Sequence, residues 1–177
     1  MSPKSSATIA LTLLTLAAAG GMAFAAQDRS ALKVEGGLGF SEFKGYEAWR
    51  AVAVSQVPGS VKLIAANPVM MAAYQKGLPA KGQTFPEGSK VVKIEWASKA
   101  NPVSPYAVQV PGDIKSLAFI LKDSKRFPKT HGWAYAVFDY DAASKTLKSR
   151  GTGATCGYEC HSKVSAQDYI FTAYPAR

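Results

Sequence analysis

The sequence predicts an α+β fold, an antiparallel β-sheet with helices packed on one side. Three observations carry that prediction. Short β-branched and aromatic runs recur through the second half of the chain, at 91–97, 106–110, 117–121, 133–140 and 145–148. Turn residues separate several of them at hairpin distances, as at Pro111-Gly112-Asp113 and Asp141-Ala142-Ala143, which favours antiparallel pairing. Helical signals gather ahead of those strands, so the layers are a sheet with helices laid on it.

Taken in order, residues 26–39 read as a mobile lead-in, on account of Gly36-Gly37. Phe43, Tyr46, Trp49 and Val52 recur at helical spacing and predict an amphipathic helix over 40–52, with Ser41 as its cap. Gly59 closes that region, and 60–65 reads as a strand. Asn67 followed by Pro68 is an N-cap and first-turn pair, opening a second helix through Tyr74 that Gly77 and Pro79 stop. In the strand 89–97, alternation puts Val92, Ile94 and Trp96 on one face and Val91, Lys93 and Glu95 on the other. Lys93 therefore points to solvent or to whatever occupies the far side of the sheet.

The chemistry concentrates at Cys156-Gly157-Tyr158-Glu159-Cys160-His161. Two nearby thiols can add across the vinyl groups of a haem, and a histidine directly after the second is placed to bind its iron. The common spacing has two residues between the cysteines; this chain has three. A short-loop disulfide with an incidental histidine is the alternative.

The first 25 residues carry Lys4, an apolar run over 9–19 and Ala23-Phe24-Ala25, the pattern of a cleaved secretory signal. The apolar run is well short of the roughly 20 residues that span a bilayer. Export read together with the haem motif points to a bacterial periplasm. Cleavage after Ala25 leaves 152 of the 177 residues, enough for one domain, and lowers the formal charge from +9 to +8. The lysines are scattered and read first as solvated surface; export argues against nucleic acid, which leaves an acidic redox protein as the functional partner.

Five stretches together resemble the cytochrome P-460 family of periplasmic mono-haem proteins. They are Phe85-Pro86-Glu87-Gly88-Ser89-Lys90-Val91-Val92-Lys93, Lys122-Asp123-Ser124-Lys125-Arg126-Phe127, Gly132-Trp133-Ala134-Tyr135-Ala136-Val137-Phe138, Cys160-His161, and Asp168-Tyr169-Ile170-Phe171-Thr172-Ala173-Tyr174-Pro175. The resemblance implies a haem domain over 40–177, bound near its C-terminus and forming a homodimer through its sheets. It implies one covalent haem c, with Cys156 and Cys160 as thioethers, His161 as the proximal iron ligand and an open sixth position. It further implies that Lys93 is the candidate catalytic cross-link to the haem edge, because hydroxylamine-oxidising members carry a lysine at the offset that separates Gly88 from Lys93.

The chain departs from those oxidases at one position. Their distal glutamate falls at Ala118, with Phe119 beside it, so Ala118 and Phe119 are the distal-pocket candidates. An apolar, aromatic-capped pocket is similar to the related cytochrome c-prime-beta branch, which suits nitric oxide or carbon monoxide. The expected function is therefore oxidation of hydroxylamine or nitric oxide at open iron, with gas binding or electron transfer as the alternatives. Met70 or Met71 would close the sixth position and favour electron transfer, although their helix makes them core residues. His131 reads as a loop histidine; Glu95 reads as a solvent-exposed or Lys93-paired residue, with a distal carboxylate as its alternative role, and Arg126 and Lys62 as contacts for haem propionates or for the distal pocket.

Overall fold

The computed structural model describes residues 27–36, 38–151 and 153–175. The expected signal segment, 1–25, lies outside the described residues. The core of the fold is one six-stranded sheet: β1 (Arg50–Val57), β2 (Ser60–Ala66), β3 (Lys90–Ala100), β4 (Gln109–Lys122), β5 (Trp133–Asp141) and β6 (Thr146–Ser149). Spatial order follows sequence order, and every neighbouring pair is antiparallel. The links after β1 and β5 are short, and the longer ones over 67–89 and 123–132 still return to the neighbouring position, giving an up-and-down order.

Between β2 and β3 runs α1 (Pro68–Gln75). The Asn67 side chain accepts from Met70 N at 3.1 Å and from Lys90 N at 3.0 Å, and donates to Gly88 O at 2.9 Å. One residue thus caps the helix and fastens it to the start of β3. Met70, Met71, Ala73 and Tyr74 are buried against the sheet. A second, one-turn helix, α2 (Tyr158–His161), follows β6 and holds the end of the cysteine motif.

Both faces of the sheet are covered. On one, Leu117, Phe119 and Leu121 of β4 and Ala134, Ala136 and Phe138 of β5 pack with Val34, Leu38, Phe40, Phe43 and Tyr46. Phe43 stacks on Phe119 at 4.3 Å between centroids, tilted by 19°. Such a pair adds about 0.5–1.5 kcal/mol beyond the area it buries. On the other face, Val91, Trp133 and Tyr135 pack with α1 and with Tyr169 and Ile170. The two α-helices lie on this second face, as the α+β prediction requires. Alternation along β3 is also as read, with Val92 in the first core and Val91 in the second.

Three expectations need correction. The helix predicted over 40–52 is two short 3₁₀ turns, Phe40–Phe43 and Tyr46–Ala48, followed by β1. Gly45 at φ 81° separates the turns, and a three-residue repeat of buried aromatics suits 3₁₀ geometry as well as α. The strands expected at 106–110 and 117–121 are one long β4, with Pro111-Gly112-Asp113 inside it. The lead-in is not free throughout, for Val34 and Leu38 are buried in the first core.

Candidate haem site

One rung of the sheet builds the floor of the site. Ala53, Ile64, Lys93, Ala118 and Val137 are successive cross-strand partners from β1 to β5. All five border a cavity of about 450 Å³, within the roughly 300–1,000 Å³ usual for small-molecule and cofactor sites. The opposite wall is the cysteine motif and the tail after it: Cys156, Gly157, Cys160, His161, Ile170, Phe171 and Thr172. Residues more than sixty positions apart in sequence thus meet because the motif folds back over the sheet's second face.

Two contacts set the height of that return. Tyr135 N donates to Ala154 O at 2.8 Å, docking the motif on β5. At Gly157 a Cβ would run into the Tyr135 ring, so only glycine lets the backbone lie this close. His161 N then donates to Gly157 O at 3.0 Å and closes the helical turn. Cys156 and Cys160 are both free thiols, solvent-exposed at the edge of the cavity.

His161 is held from several sides. The ring centroids of Tyr135 and Phe171 each lie 4.9 Å from its own. Its Nδ1 is 2.6 Å from the Tyr169 carbonyl oxygen. A carbonyl only accepts, so Nδ1 carries the hydrogen and Nε2 keeps its lone pair. Burial pushes the imidazole pKa below its ordinary 6.5; the Tyr169 carbonyl opposes that shift, and the Lys93 charge reinforces it. The ring is therefore a neutral base with one nitrogen committed and the other available.

The sequence profile of the cytochrome P460 family matches residues 43–172, a stretch that includes all six strands and the cysteine motif. The chain belongs to the cytochrome P460 family. No curated protein matches it as a relative.

Membership of the cytochrome P460 family implies haem binding, and the residues fit that group. Two thiols and one imidazole face one cavity, and the imidazole has the tautomer that a metal ligand needs, fixed by a backbone carbonyl as metal-binding histidines usually are. Lys93 sits half-buried on the floor. Burial lowers its pKa from the ordinary 10.5; Glu95 works against that shift, while Lys62 and Arg150 add to it. A lysine with a lowered pKa presents more neutral amine than a solvated one.

The distal candidates part company here. Ala118 lies directly across from Lys93 and borders the cavity. Phe119 also borders it, yet its ring stacks on Phe43 in the core of the opposite face, so the expected aromatic cap is not formed by Phe119. Consecutive residues of a strand point to opposite sides, and Lys93 had already fixed which side Ala118 takes. Glu95 accepts from Ser60 Oγ at 2.6 Å and pairs with Lys115 at 3.8 Å, and it is absent from the cavity lining.

Of the remaining cations, Lys62 borders the cavity, whereas Arg126 is paired with Glu42 at 2.6 Å on a separate surface. Met70 and Met71 are buried in the core and do not border the cavity. His131 is exposed, stacked on Tyr169 at 5.0 Å, and borders a different and more open cleft of about 650 Å³. Sequence reasoning gave no role to Tyr135, Tyr169 or Asp168. The glycine between the cysteines was the visible clue to Tyr135, since a glycine inside a helical turn suggests a close approach. Nothing in the sequence signalled a backbone carbonyl as the partner of His161.

Proposed function

We propose that this cytochrome P460 family member is an exported, periplasmic c-type mono-haem protein that oxidises hydroxylamine or nitric oxide at an iron whose sixth position is open. One observation carries the reading. The cavity lining holds a single imidazole, His161, and no methionine, so among the described residues no thioether or second histidine stands ready to fill the remaining iron position. Bound haem would supply iron that exchanges single electrons with a small nitrogen–oxygen ligand.

The chain's own residues have separate tasks in this reading. Cys156 and Cys160 would tether the group, and His161, whose Nδ1 is committed to the Tyr169 carbonyl, would hold its iron. Tyr135 and Gly157 keep the tethered segment at a fixed distance from β5. Ile64, Ala118 and Val137 give the floor an apolar surface that disfavours water, with Lys93 as its one polar member and the candidate cross-link to the haem edge. Removal of protons from hydroxylamine needs a base, and among the described residues no carboxylate borders this cavity. That observation favours a second reading, in which the protein binds nitric oxide without turnover, as the c-prime-beta branch is expected to.

The basic charge of the chain, +9 overall, supports an acidic redox protein as the electron acceptor. A homodimer belongs to the same reading; Val54 and Val57, 76% and 46% exposed on the edge strand β1, would supply apolar surface for it. The test is to supply hydroxylamine and an external electron acceptor to the purified protein. Sustained acceptor reduction supports the oxidase, whereas a stable nitric oxide complex with no turnover of hydroxylamine selects the gas binder.

A further inference from the structure

The residue before Tyr169 is one half of a buried ion pair. Asp168 accepts from Lys122 Nζ at 2.9 Å on one carboxylate oxygen and 3.2 Å on the other, from Phe85 N at 2.7 Å and from Trp133 Nε1 at 3.2 Å. The two charged side chains are 6% and 4% exposed. Lys122 also donates to His131 O at 3.1 Å, and its ammonium lies 4.8 Å from the centre of the Trp133 ring. The ends of β4 and β5 and the segment before β3 therefore converge on one carboxylate. Asp168 and Tyr169 both hold left-handed backbone, at φ 48° and 63°. Non-glycine residues stay there only when their surroundings force them.

A buried ion pair is a weak source of net stability, because desolvation offsets most of the attraction. Its geometric effect is larger. The carboxylate is anchored by four donor contacts, Tyr169 N donates to Val164 O at 3.2 Å, and Asp168 and Tyr169 both hold left-handed backbone; together these fix the direction of the next carbonyl along, that of Tyr169, to which His161 Nδ1 donates. We propose that Asp168, together with Lys122, is a positioning residue that fixes the Tyr169 carbonyl against His161 and thereby sets how strongly His161 donates to iron. The proposal rests on His161 being the iron ligand, as in the reading above. Hydrogen bonding at the far nitrogen raises the basicity of a ligating imidazole, so a displaced carbonyl weakens the donor.

Asp168→Asn alone leaves the Lys122 charge stranded in the core, so the decisive variant is the double substitution Asp168→Asn with Lys122→Met, which removes both charges together. The readouts are the iron–histidine stretching band of the reduced holoprotein, by resonance Raman, and its midpoint potential. The expected result is a folded, haem-bearing double variant whose band moves to lower frequency and whose potential rises. Leu147→Ala, a truncation in the opposite core, lowers thermal stability and leaves both readouts where they were. A folded double variant with the parent's band and potential overturns the positioning role. A parent protein with no iron–histidine band overturns the assignment of His161 itself, so the two failures are told apart.

Discussion

Lys93 and Ala118 are direct partners across the β3–β4 ladder, both on the cavity side of the sheet. The sequence resemblance to hydroxylamine-oxidising members implies that those two places carry the cross-linking lysine and the distal carboxylate there. Here the amine is kept and the carboxylate is replaced by a methyl group. The pair therefore frames the choice between oxidase and gas binder in a single rung.

Lys93→Leu tests the amine. If Lys93 is joined to the haem edge, the reduced parent has a Soret band displaced far to the red, and the variant returns to an ordinary c-type spectrum. Optical spectra of both reduced proteins read this directly, and identical spectra in the two would remove the cross-link.

Ala118→Glu tests the missing base. A carboxylate at 118 faces Lys93 across the ladder, and a positioned base typically contributes about 10²-fold or more. Steady-state hydroxylamine oxidation should rise toward that scale, with the binding of nitric oxide weakened by the lost apolar surface. Unchanged turnover would show that protons leave by another route.

Gly157→Ala tests the seat of the cysteine motif. The new methyl meets the Tyr135 ring, and forced repacking of this kind costs about 1–3 kcal/mol. Thermal unfolding should show a lower Tm, and intact mass should show a larger fraction of chains without haem. A variant as stable and as fully loaded as the parent would mean that Tyr135 does not set the motif's height.

A pH series tests the burial of Lys93 without haem. In a Cys156→Ser, Cys160→Ser protein the folded Lys93 has a pKa below 10.5 and the unfolded one has about that value. Between the two values the unfolded state binds more protons, so stability gains from this group as pH rises. Below the folded value the group carries a constant penalty. Lys93→Leu should therefore stabilise the haem-free protein at neutral pH, and the advantage should shrink as pH climbs through the window below 10.5. Denaturant titrations across that range measure it, and a pH-independent difference would place Lys93 in solvent.

Local rules reached much of this architecture. Asn67 and Pro68 announced α1 because capping chemistry depends on neighbours in sequence, and the faces of β3 followed from its alternation alone. The 40–52 segment was misread because Phe43, Tyr46 and Trp49 fit a helical period, while the packing that turns the chain into β1 comes from β2, a partner no local pattern reveals. Pro111-Gly112-Asp113 looked like a turn; it is absorbed into β4, where the pairing with β3 is irregular at Trp96 and Ser98. In the site, Cys156, Cys160, His161, Lys93 and Ala118 were legible as a motif and a family pattern, and they border one cavity. Phe119 borders the same cavity, but strand parity turns its ring to the opposite face, against Phe43. Asp168 and Tyr169 escaped notice because their effect on His161 runs through a backbone carbonyl, which has no residue signature.

The most direct measurement is the intact mass of the purified mature protein together with its reduced spectrum. The account predicts one haem added to the polypeptide mass through Cys156 and Cys160, retained on denaturation, with five-coordinate iron on His161. A colourless chain of bare polypeptide mass, or a six-coordinate spectrum with a second protein ligand on the iron, would contradict it.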